Sequence, residues 1–120
     1  MYRPTDAQLA EANYGSAIAQ SLAESQARAY FHDKGVSESQ SSLTFGAVER
    51  GYVSCESVPG GYDYGFRLYA TLNEKDAAGY FKGPVNYIFL FRDEQIGAIY
   101  RVWGTKPDVW DLAPRLVRIQ

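Results

Sequence analysis

Few residues in this chain carry reactive chemistry. His32 is the only histidine and Cys55 the only cysteine among 120 residues. An imidazole beside a thiol is the arrangement that generates a thiolate nucleophile. His32 falls near the end of a predicted helix, however, where a partial positive charge suits the helix dipole. Cys55 lies in a strand-like stretch, where a free cysteine ordinarily serves as a small buried hydrophobe. A zinc site needs several thiolate, imidazole or carboxylate ligands, and neither an H-x-x-x-H nor a C-x-x-C spacing occurs. The carboxylates that could do acid–base work or hold calcium are Asp76, Asp93, Glu94, Asp108 and Asp111. They lack EF-hand order, and each lies in a predicted turn or loop, where acidic residues are routine. No P-loop, dinucleotide fingerprint or G-x-S-x-G elbow is present. Gly60-Gly61 with Gly65 leads into a strand and not into the helix N-terminus that cradles phosphate, so it reads as turn chemistry. The expectation is a non-enzyme with no cofactor and no metal.

The aromatics carry the stronger signal. Tyrosine occurs ten times, against six Phe and two Trp. Tyr62 and Tyr64 flank one loop, Tyr69 should face away from Phe66 and Leu68, and Tyr80-Phe81 tips a loop running from Asn73 to Pro84, beside Lys82. A loop of that length in a compact domain suggests binding. These six residues are the candidate site. They could meet a protein surface or a second copy of the chain, or Tyr62, Tyr64, Tyr80 and Phe81 could stack on a small ligand such as a glycan. The competing expectation is that Tyr80 and Phe81 fold inward and anchor their loop, a role to which half-buried aromatics are suited.

The elements that must position these residues read as helices first and strands afterwards. Thr5 with Gln8 three residues on forms a capping box opening a short helix through Ala12. Ser16 can cap a longer helix from Ala17 to about Asp33, ended by Gly35. Ile18, Leu22, Ala29 and Tyr30 define its apolar stripe, with Phe31 alongside. After the serine-rich run from Ser37 to Ser42 the period changes to two. Leu43–Ala47 is a first strand, and Gly51–Cys55 continues it after a bend or forms a short strand of its own. Tyr64–Leu72 alternates most cleanly, and Val85–Arg92 and Ile96–Trp103 form a hairpin around Asp93-Glu-Gln95. Pro59-Gly60 suits a type II turn. The order predicts an α+β domain, with N-terminal helices packed on an antiparallel meander of about four strands. The segment 87–91 is apolar on both faces, so either it is a central strand or something covers its second side. Lys106–Gln120, with Trp110, Leu112, Leu116, Val117 and Ile119, is the candidate cover, packing on the sheet or on a partner.

The chain is one domain's worth, divided as 5–35 helical, 43–103 sheet and 104–120 extension. Twelve basic against fourteen acidic residues leave no basic excess to neutralise phosphates, so nucleic acid is not an expected partner. The longest apolar run, Tyr87–Phe91, is far short of the roughly 20 residues of a membrane helix. No charged n-region and apolar h-region of a secretory signal begin the sequence.

Two blocks carry a resemblance. Tyr14-Gly-Ser-Ala-Ile-Ala-Gln-Ser with Ala27-Arg-Ala-Tyr-Phe31 forms the first. Asn73-Glu-Lys-Asp76, Gly79-Tyr-Phe-Lys-Gly83 and Phe91-Arg-Asp-Glu-Gln-Ile96 form the second. Over residues 5 to 103 the chain resembles a group of small bacterial cell-envelope proteins, lipoproteins and periplasmic proteins of unknown function. The resemblance implies a periplasmic or outer-membrane-anchored protein whose leader is not in this chain; without export the location is cytoplasmic. It supplies no active-site residues. Partner binding or self-association is the leading functional expectation, and glycan binding the alternative.

Overall fold

A computed structural model of the chain describes residues 4–54, 62–103 and 115–120. Two helices, α1 (Asp6–Glu11) and α2 (Gln20–Asp33), precede six strands: β1 (Ser41–Phe45), β2 (Glu49–Ser54), β3 (Tyr62–Lys75), β4 (Phe81–Arg92), β5 (Gln95–Trp103) and β6 (Arg115–Arg118). The α+β class and the antiparallel pairing are as the residue pattern predicts. The expectation of about four strands is too low. All described strand pairings are antiparallel, in the order β1, β3, β4, β5, β6, with β2 pairing further along the same side of β3. β1 faces Ala70–Glu74 and β2 faces Tyr62–Arg67, so the two are one edge line broken around Gly46–Val48.

Local chemistry sets the helix ends. In α1 the Thr5 hydroxyl accepts from the Gln8 N–H, and the Gln8 amide oxygen accepts from the Thr5 N–H, the reciprocal box read from the sequence. α2 ends as a Schellman motif: Gly35, at φ +87°, donates to His32 O and Val36 donates to Phe31 O. Its start departs from expectation. Ser16 does not cap it; its N–H and hydroxyl both reach Asp93 Oδ1, at 2.9 and 3.3 Å, in the β4–β5 turn. The helix begins instead after Ala19, whose side chain cannot cap.

The buried stripe around α2 departs from the expected one only in part, since Ile18, Tyr30 and Phe31 join the core as expected. Ala23, Ala27 and Phe31 face the sheet, while Leu22 is 38% exposed and Ala29 is exposed. Ala23 and Ala27, one turn apart, are fully buried against the sheet, and the Phe31 ring packs between helix and strands. Phe31 meets Tyr87 and Phe89 edge-on at 5.1 and 5.5 Å. Against this stripe lie Leu68, Ala70 and Leu72 of β3, Phe89 and Phe91 of β4, and Ile99 of β5.

The second face has a core of its own: Val53, Ile88, Leu90, Ala98 and Tyr100. This explains why the segment 87–91 is apolar on both sides, since β4 is central and each of its faces meets a cluster. The expected cover, Lys106–Gln120, lies partly outside the described residues. Arg115–Arg118 pairs in plane with β5, so that part extends the sheet.

The Asn73–Pro84 loop expected from composition is mostly strand. β3 continues to Lys75 and β4 starts at Phe81, leaving a short turn. Asp76 Oδ1 accepts from Ala78 N and Tyr80 N, and Gly79 sits at φ +90°. Asn73 Oδ1 accepts from Gly83 N, beside a register shift between Asn73 and Lys75. Side-chain oxygens and one bulge thus hold together a hairpin whose composition reads as loop.

Candidate functional site

β3 outruns its neighbour. Its register with β4 ends at Phe66–Phe91, whereas β2 continues to pair as far as Ser54–Tyr62. Tyr62 and Tyr64 therefore stand on a part of the strand flanked by β2 and bounded on the other side by the end of β4. Arg92 closes that side: its Nη2 donates to Tyr64 O at 2.7 Å and lies 3.7 Å from Asp63 Oδ1. Asp63 points to the opposite face, where its Oδ2 accepts from the buried Tyr100 hydroxyl at 3.0 Å. The strand end is thus tied down from beneath by the carboxylate and from the side by the guanidinium.

Alternation places Tyr62 and Tyr64 on the helix-bearing face with Phe66. Each ring is propped by another tyrosine. Tyr14 meets Tyr64 edge-on at 5.7 Å, and Tyr52 meets Tyr62 edge-on at 5.9 Å. The two rings sit 6.5 Å apart, tilted by 39°. Arg50 stacks over the Tyr14 ring at 4.9 Å and steadies the prop. In front of the two rings opens a cleft of about 400 Å³, walled on its far side by Gln8, Glu11, Ala12 and Asn13 and at its end by Arg92. Desolvation pushes the Tyr64 hydroxyl above its usual pKa, with the neighbouring Tyr14, Tyr62 and Tyr52 adding to the effect. At neutral pH it is therefore a hydrogen-bonding phenol and not a base.

The six residues singled out from sequence do not form one site. Tyr62 and Tyr64 lie in the cleft. Tyr69, 44% exposed, is on the second face under the Arg67 guanidinium at 5.9 Å. Tyr80 and Phe81, 73% and 53% exposed, crown the β3–β4 turn, with Lys75 Nζ over the Phe81 ring at 5.3 Å and Lys82 exposed beside them. Eleven residues of strand separate Tyr64 from Lys75, the partner of Phe81, a span of roughly 35 Å. A stacking platform built jointly from Tyr62, Tyr64, Tyr80 and Phe81 is thereby excluded. The inward-folding alternative fails as well, because both tip rings point outward.

His32 is exposed in the last turn of α2, 3.9 Å from Asp33. Cys55, the Pro59-Gly60 turn, Asp108, Asp111 and Trp110 lie outside the described residues. Asp76 accepts from backbone N–H groups of its own turn, and Asp93 from the N–H and hydroxyl of Ser16 between α1 and α2. Among the described residues no group of three His, Cys, Asp or Glu could hold a metal ion, and no helix is long and apolar enough to cross a membrane. The cleft residues missed from sequence are Gln8, Glu11, Asn13, Tyr14, Tyr52 and Arg92. Only the two-residue spacing of Tyr62 and Tyr64 pointed to it, because their neighbours come from distant segments. Compared with known proteins, the chain matches no family model, no curated protein and no solved structure.

Proposed function

We propose that the protein is a non-catalytic interaction module that self-associates through its β3–β4 hairpin tip. The observation that carries this reading is the outward presentation of Tyr80 and Phe81 on a turn held by the Asp76 and Asn73 side chains. Rigid aromatics lose little conformational freedom on docking and supply much of an interface's contact energy. Two such rings bury at most roughly 300–500 Å² on each partner, below the area of a standard stable interface, so the association is weak. The residue pattern around His32 and the turn roles of Asp76 and Asp93 support a binding role over catalysis. The compartment that goes with this proposal, a bacterial envelope, rests on the resemblance of residues 5–103.

Sedimentation velocity at about 100 µM tests it, since weak self-association requires concentrations of that order. The expected result is a concentration-dependent shift that disappears in Tyr80→Ser/Phe81→Ser. A monomer throughout, or association indifferent to the double substitution, refutes the tip as the contact.

A further inference from the structure

We propose that the cleft between the end of α1 and the Tyr62–Tyr64 pair binds the ring of a neutral saccharide. The proposal is independent of the hairpin-tip reading, because the cleft lies at the other end of β3.

Three features of the cleft converge on that ligand class. The first is its floor. Tyr62 and Tyr64, one strand repeat apart, offer two adjacent rings tilted by 39°, each fixed by an edge-on tyrosine. Such a surface accepts the C–H face of a sugar ring, whose polarised hydrogens are attracted to the negative face of the aromatic quadrupole. The props hold the rings in place before a ligand arrives, so little is lost in ordering them.

The second is the opposite wall. The Gln8 oxygen is taken by the Thr5 N–H and the Asn13 oxygen by the Gly15 N–H. Both side chains therefore have amide NH₂ groups to donate, while the Glu11 carboxylate supplies an acceptor. Alternating donors and acceptors beside a stacking floor suit a ring of hydroxyls, each of which both gives and receives a hydrogen bond.

The third is charge. Among the described lining residues the one cation, Arg92, already holds Tyr64 O and Asp63, and the other charge, Glu11, is a carboxylate. This disfavours phosphate and carboxylate ligands relative to neutral ones. The open cleft of about 400 Å³ is of the size of small-molecule sites and leaves room for a hexose ring.

The full chain is titrated with chitotriose, cellotriose, glucuronic acid and adenosine, using saturation-transfer NMR together with tyrosine fluorescence. One of the neutral trisaccharides should bind with a Kd of about 1 mM, as expected of an open single-ring site. Tyr64→Ala and Tyr62→Ala should each weaken it about tenfold, while Tyr62→Phe, which keeps the ring, stays within roughly threefold of the parent. Glu11→Gln should weaken neutral binding only modestly and improve glucuronic acid binding. Tyr80→Ser/Phe81→Ser, which addresses the tip, should leave sugar binding intact. Absence of binding by both neutral trisaccharides, binding that survives Tyr62→Ala and Tyr64→Ala, or preference for adenosine or glucuronic acid overturns the proposal. Retained α2–sheet chemical shifts in the alanine variants show that a loss of binding is not a loss of fold.

Discussion

Two stripes of α2 give opposite predictions, and substitution at three positions separates them. The sequence pattern puts Leu22 and Ala29 against the sheet; the structure puts Ala23, Ala27 and Phe31 there, with Ala23 and Ala27 fully inaccessible. Ala27→Leu adds three carbons at a fully buried position in the core between α2 and the sheet. Overpacking of this kind costs roughly 1–3 kcal/mol, a sizeable part of a domain stability of about 5–15 kcal/mol. At this chain length each kcal/mol lowers Tm by about 3–6 °C. The same insertion at Ala29, on the exposed side, should stay within about 0.5 kcal/mol. Leu22→Ala should cost less than about 1 kcal/mol at 38% exposure, where a core leucine would cost roughly 2–5 kcal/mol. Urea unfolding followed by far-UV circular dichroism measures all three. A neutral Ala27→Leu together with a Leu22→Ala loss above about 2 kcal/mol would mean that α2 is rotated from the orientation described.

Two further outcomes follow from local features. The β4–β5 turn holds Asp93 and Glu94 at φ +52° and +65°, the left-handed pair of a two-residue hairpin, and Glu94 lacks both glycine's freedom and an Asx side chain. Glu94→Gly should raise stability by about 0.5 kcal/mol in urea titration, the relief of strain exceeding glycine's entropy; the Gln26 bond to residue 94 is made to its backbone oxygen and survives. Burial raises the pKa of Tyr30, and burial is also the leading cause at Tyr64 and Tyr87. The folded state thus favours the neutral phenol, so its contribution is complete below pH 10 and is lost as pH rises from there through the folded values. The urea midpoint should fall as pH is raised above about 10, and the slope should flatten in Tyr30→Phe/Tyr64→Phe/Tyr87→Phe. An identical slope in the triple variant would contradict the assigned cause.

What the sequence discloses about this fold is what neighbours in the chain decide. The Thr5–Gln8 box, the Gly35 terminator and the alternation of Tyr64 to Leu72 involve residues within a few positions of one another, and each appears as expected. The failures are tertiary. Ser16 has the chemistry of a cap, but Asp93, 77 residues away, takes its hydrogen bonds. Helical periodicity admits Leu22 and Ala29 as readily as Ala23 and Ala27 beside Phe31; the aromatic partners of Phe31 on β4 decide which of them turn inward. Asn73 to Pro84 has the composition of a loop, yet a cross-strand bond from Gly83 to Asn73 extends the ladder to the Lys75–Phe81 pair. The cleft was legible only as Tyr62 and Tyr64, since Tyr14 and Arg92 reach it from segments that no spacing rule connects.

The placement of both proposed surfaces follows from the register of one strand. Over Phe66–Asn73, β3 pairs with β4, and its helix-side chains Leu68, Ala70 and Leu72 are buried beneath α2. Through this central stretch the helix-bearing face is taken up by packing against α2. Tyr69, on the second face, is the residue there that remains exposed. At the Tyr62 end the β4 partner stops at Phe91, so the rings are supported by tyrosines and by Arg92 instead of by a second strand, and a cleft results. At the Lys75 end the chain must reverse, and the turn pushes the next two aromatics outward. A substitution that lengthened the β4 register past Arg92 would bring the β4–β5 turn against Tyr64 and fill the cleft, while leaving the Tyr80–Phe81 tip untouched. The two proposed contacts should therefore be separable by mutation even though they share a backbone.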